Sequence, residues 1–157
     1  MADNDIARAR NLTSRLAGCR PLHPLELKQL QEQHSASQSI DFFAGEEEIA
    51  RKIQAIQERS ESQKNSLLSR LWAQSFQKGA NDDLELQCRL LNEFFSYYLA
   101  TGEHPPPASA WRIAVILRKR KEHLLEREFL LSWIKHFGNT IGNTYEKLVD
   151  RYRKLNI

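Results

Sequence analysis

Between Leu84 and Tyr98 the chain repeats apolar side chains at spacings of four, three, four and three, as Leu84, Cys88, Leu91, Phe95 and Tyr98. That period fits one face of an α-helix and no strand. A second stripe, Leu86, Leu90, Phe94 and Tyr97, runs beside the first. A helix apolar over so wide an arc has to be covered by more than one neighbour, so this segment is expected at the centre of a helical assembly. The rest of the chain agrees: Gly and Pro total only 6 and 5 of 157 residues, and Leu, Glu, Gln, Lys, Arg and Ala, which lose little on entering a helix, dominate. The expected class is all-α, a helical bundle of about six or seven helices in one domain spanning 1–157.

Punctuation divides the bundle. Asp3 or Asn4 is placed to cap a first helix carrying Ile6, Ala9, Leu12 and Leu16 and stopped by Gly18, and Pro24 opens a short second helix that gives way to the Ser35–Ser39 loop. Residues 1–45 read as loosely held. Glu46, Glu47 and Glu48 stand where a helix dipole favours carboxylates, ahead of Ile49, Ile53 and Ile56. No apolar side chain occurs from 57 to 66, so residues 46–78 form one long helix or two shorter ones. The Ser and Asn content favours a break near Ser62–Ser66.

Residues 79–157 read as the compact core. Asn81 is expected to cap the central helix, Gly102 to end it, and Pro105-Pro106-Pro107 to keep the connection out of helix. A further helix starts at Ser109 and directs Ile113, Ile116, Leu117 and Leu124 inward. After a bend at Lys121–His123 the arm from Leu124 to Phe137 is apolar almost all round and should be the best buried. Asn143 opens the last helix, whose stripe is Tyr145, Leu148, Val149, Tyr152 and Leu155, with Lys147, Arg151, Arg153 and Lys154 on its far side.

Residues 110–138 resemble a single tetratricopeptide-type helical hairpin: Ile113-Ala114-x2-Leu117 stands where that family has Leu-Gly-x2-Tyr, and Leu130 where it has Phe. Trp111, Glu126, Trp133 and Gly138 depart from its pattern. The resemblance implies stacked helix pairs and a peptide or protein partner.

Charge has a direction. Residues 1–78 hold 11 basic and 10 acidic side chains, 79–110 hold 1 and 5, and 111–157 hold 11 and 5. Arg112, Arg118, Lys119, Lys121, Arg151 and Lys154 therefore make a candidate basic patch for a phosphate backbone. The aromatic residues exceed what a small bundle must bury, and Phe42, Phe43 and Trp111 are candidate interaction anchors. The five histidines are scattered without metal-ligand spacing, and no lysine-bearing glycine loop or catalytic motif occurs. No cofactor, metal or small-molecule substrate is expected. Two distant cysteines, an acidic polar start and no long apolar run point to a cytoplasmic protein with reduced thiols and no membrane span. The function expected is a non-enzymatic adaptor or scaffold with a protein partner, with homodimerisation through residues 46–77 as one form of it. Nucleic-acid binding by the basic face is the alternative.

Overall fold

The computed structural model describes residues 2–41, 43–64 and 66–155. Among them lie eight α-helices and no strand: α1 (Ala2–Gly18), α2 (Pro24–Gln38), α3 (Glu46–Lys64), α4 (Leu67–Gln74), α5 (Leu84–Thr101), α6 (Ala108–Lys119), α7 (His123–Phe137) and α8 (Asn143–Leu155), with one 3-10 turn at Ala80–Asp82. Residues 46–77 thus form two helices, the second capped by the Ser66 hydroxyl accepting from the Ser69 N–H at 3.2 Å.

α5 holds two cores apart. Its first stripe, Leu84 to Tyr98, joins Leu12 and Leu16 of α1, Ile113 and Leu117 of α6, and Phe129, Trp133 and Phe137 of α7 in the main core. Its second stripe, Leu86 and Leu90, packs with Leu71 of α4 and Ala80, flanked by Leu68 and Phe94. The width of the apolar arc is accounted for by these two sets of neighbours.

α1 is more firmly seated than its narrow stripe implies. Ala9, Leu12 and Leu16 are all buried in the main core, and polar groups clasp the helix end. Arg15 donates to the Asn92 carbonyl (2.9 Å), Asn92 Oδ1 (2.6 Å) and Ser96 Oγ (2.9 Å) while lying over the Phe95 ring. From α7, His136 Nε2 donates to Leu16 O at 2.7 Å and Lys135 Nζ to Ala17 O at 2.6 Å, supplying carbonyls that a helix end leaves without partners. Of residues 1–45, then, α2 is the lightly held helix. It has no buried residue and is fastened partly by Gln31 Nε2 donating to Gly102 O at 3.0 Å. Gly102, at φ +77°, both ends α5 and lets α2 approach. A Cβ there would meet Gln31 Cγ at 2.8 Å and Leu27 O at 3.2 Å.

Several boundaries differ from the sequence reading. α1 begins at Ala2, so Asp3 and Asn4 lie within its first turn rather than ahead of it. α2 continues through Ser35–Gln38, starting from a capping box in which His23 Nδ1 accepts from Leu25 N–H and Glu26 accepts from His23 N–H. Asp83, not Asn81, caps α5, because the 3-10 turn takes up Asn81. Ser109 is buried inside the first turn of α6, which begins after Pro107. Leu124 points outward, at 68 % exposed, since it sits on the first turn of α7 opposite the buried Leu125.

α6 and α7 form the expected hairpin, with Phe129, Leu130, Trp133 and Phe137 at most 1 % exposed. Their turn is a Schellman motif: Glu122 N–H bonds Leu117 O at 2.9 Å and Lys121 N–H bonds Arg118 O at 3.0 Å. The left-handed residue, glycine in most such turns, is Lys121 at φ 61°. Its Cβ crowds the backbone there. Lys121→Gly is expected to raise stability by about 0.5–1 kcal/mol, read as a higher urea midpoint at unchanged slope.

The clasp on α1 also has a pH dependence. His136 Nε2 must carry the proton it donates to Leu16, while Nδ1 is buried with no hydrogen-bond partner among the described residues. Burial foremost, then the nearby Lys135, holds the imidazole below its ordinary value of 6.5, against the Leu16 hydrogen bond; burial lowers His104 as well. The unfolded chain therefore takes up these protons first as pH falls. The fold loses stability as pH drops below 6.5 toward the depressed folded values, and is insensitive to these groups above it. Urea midpoints measured from pH 7.5 to 5 should fall, and His136→Gln, whose amide can still donate to Leu16 O, should flatten the fall.

Candidate interaction surfaces

The basic residues of the C-terminal half do not act as one outward set. Arg151, on α8, turns toward α7 and donates through Nε and Nη2 to both carboxylate oxygens of Glu126, at 2.9 and 3.1 Å. Glu126 is fully buried, in a place where the hairpin resemblance has a small side chain. The apolar stripe of α8 alone would put Arg151 on the far side of the helix. The buried carboxylate draws it inward, because an unpaired charge there would be costly. The bond to Glu126 raises the guanidinium above its ordinary value. Arg120 is similarly occupied, bonding Asp5 of α1 at 2.8 Å, and this bond holds the Asp5 carboxyl below its ordinary value.

Of the remaining basic candidates, Lys119 lies 3.9 Å from Asp82, both largely exposed, a pairing of little energetic weight. Lys121 and Lys154 are exposed, and Arg112 and Arg118 are half-buried. Arg118, Lys119 and Lys121 are grouped by the end of α6.

The aromatic candidates separate as well. Phe42 lies outside the described residues. Phe43 is completely exposed, on a loop fixed by Asp41 Oδ1 accepting from its N–H at 3.0 Å. Trp111 is half-buried against the main core and secures the start of α6. The largest aromatic surface belongs instead to α4 and the turn that follows it. Phe76 is 74 % exposed and Trp72 41 %. Their rings meet edge to face at 5.2 Å, and Trp72 meets Phe94 of α5 in the same way at 5.5 Å. The reason is the brevity of α4: its eight residues seat Leu68 and Leu71 inward, leave Trp72 at the edge and end before Phe76.

Two open clefts flank Leu67. One, of about 750 Å³, lies between α1 and α5 with Arg8, Asn11, Glu85 and Asn92 on its walls. The other, of about 470 Å³, runs between Leu67, Leu68 and Tyr97. Elsewhere, His34 sits 3.3 Å from Glu103 and 3.4 Å from the Tyr97 hydroxyl. Among the described residues no group of three His, Cys, Asp or Glu side chains is placed to hold a metal, and no helix is long and apolar enough to cross a membrane. Burial pushes the Cys88 thiol up to about 12, so it packs as a small apolar group.

Comparison with protein-family models, with curated proteins and with solved structures finds no match.

Removing the inward arginine tests its assignment. Arg151→Ala leaves the buried Glu126 without its partner and is expected to cost about 3–5 kcal/mol, whereas Lys154→Ala, on the exposed side of the same helix, should change stability by less than about 0.5 kcal/mol. Paired urea titrations of the two variants measure the difference; equal effects would refute it.

Proposed function

We propose that this chain is a non-enzymatic helical protein-interaction module, an adaptor or scaffold, that engages its partner through α4. The observation that carries this reading is the aromatic ladder in which the exposed Phe76 and Trp72 extend outward from the partly buried Phe94. Trp72, on a helix anchored through the fully buried Leu71, and Phe76, in the turn just after that helix, pack on one another and so have little rotamer freedom left to lose on binding. Such residues make effective hot spots. The exposed Arg70 and Lys78 beside them supply a charged rim of the kind that steers encounter.

This shifts the anchors expected from the sequence. Phe43 stays among them, and Trp111 contributes to the fold. The alternative, nucleic-acid binding by the basic C-terminal face, now rests on Arg112, Arg118, Lys119, Lys121 and Lys154, since Arg151 is committed to Glu126.

Trp72→Ala with Phe76→Ala supplies the test, because both side chains lie outside the two cores. Cross-linking of the intact chain in extract should show protein contacts at α4 that weaken by about tenfold or more in the double variant, as loss of hot-spot residues does, while its far-UV circular dichroism is unchanged. An identical contact set in the double variant would sink the reading.

A further inference from the structure

α3 separates two exposed aromatic segments of opposite charge. From its last residues onward, positions 62–81 contain Lys64, at the end of the helix, Arg70 and Lys78 and no acid, and present Trp72 and Phe76 outward. Before its N-terminal end and through its first turn, residues 39–50 contain Asp41, Glu46, Glu47 and Glu48 and no base, and present Phe43. The helix between them has 19 residues, about 28 Å at 1.5 Å per residue. None of its described side chains is fully buried, and Ile53 near its middle is 39 % exposed. Lys52 and Arg59 hold it to α2 by donating to Ala36 O at 3.2 Å and Ser37 O at 2.9 Å.

Resting on the interaction reading above, we propose that the aromatic face of α4 is covered by a second copy of this chain. The two α3 helices lie antiparallel about a two-fold axis that crosses α3, and the acidic Phe43 end of each copy meets the basic Trp72–Phe76 end of the other. Charge complementarity selects this occupant. A parallel pairing sets Glu46–Glu48 of one copy against the same residues of the other, whereas the antiparallel one joins unlike ends and opposes the helix dipoles. The arrangement is isologous, so the contact occurs twice and association closes at two copies. An unrelated acidic peptide or an anionic membrane would match the α4 end alone and leave Phe43 and Ile53 in water.

The test is a charge exchange on the intact chain, read by sedimentation equilibrium at low ionic strength. Wild-type protein is expected to dimerise, with a Kd that rises with added salt. Glu46→Lys, Glu47→Lys, Glu48→Lys in one variant, and Arg70→Glu, Lys78→Glu in another, should each raise the Kd tenfold or more alone. Mixed in equal amounts they should recover the dimer, because both contacts again join unlike charges. Phe76→Ser, which takes nothing from either core, should also weaken it.

A wild-type chain still monomeric at about 1 mM overturns the proposal. So does a mixture of two helical variants that fails to recover the dimer, or a dimer indifferent to Phe76→Ser. If α4-dependent cross-links to other proteins persist while the chain is monomeric, the self-pairing fails and the interaction module stands. Binding to anionic vesicles that is lost on Phe76→Ser, with no dimer, assigns the face to lipid and overturns both.

Discussion

The apolar circumference of α5 exceeds what any one neighbour can cover, and the arrangement of the other helices follows from that. One stripe collects α1, α6 and α7 into the main core, and the other collects α4 and the Ala80 turn into a smaller one. The two cores are unequal in consequence. Side chains at the first are sealed by helices of 12 to 17 residues, while the second is closed by an eight-residue helix. The short cover leaves Trp72 and Phe76 beyond the edge of that core. The surface read here as functional is thus a by-product of how α5 is divided between its partners.

Periodicity made the large elements legible. The α5 stripes, the α6–α7 hairpin, the stop at Gly138, the stripe of α8 and the break between α3 and α4 all follow from the spacing of apolar side chains and the placing of Gly, Pro and Ser. What periodicity missed were positions decided by a polar contact at a distance in sequence. α1 looked loose because its hold depends on Arg15 reaching α5 and on Lys135 and His136 reaching back from α7. Asn81 was passed over as a cap because a 3-10 turn intervened, and capping preferences do not distinguish Asn81 from Asp83.

The candidate surfaces were legible to a lesser degree, for the same reason. Nothing in the local pattern separates Arg151 from Lys147 or Lys154, since all three sit on a helix with a clear apolar stripe. Only the inward Glu126 distinguishes them, and a carboxylate four residues after Glu122 and two before Glu128 looks like part of a solvated face. Trp111 and Trp72 were equally ambiguous as sequence. Trp111 follows a proline-stiffened loop that folds onto the core, whereas Trp72 lies on a helix with too few turns to hide it.

The Glu126–Arg151 pair also sets where α8 can lie. An amphipathic stripe such as Tyr145, Leu148, Tyr152 and Leu155 presents nearly the same surface after sliding by one turn, about 5.4 Å, and apolar packing alone distinguishes the two alignments weakly. A buried carboxylate has no such tolerance. Displaced by a turn, α8 would leave Glu126 without its guanidinium, and the Tyr145 hydroxyl would lose the Pro105 carbonyl to which it donates. The last helix is therefore indexed to a single position on the bundle, like a key with one notch.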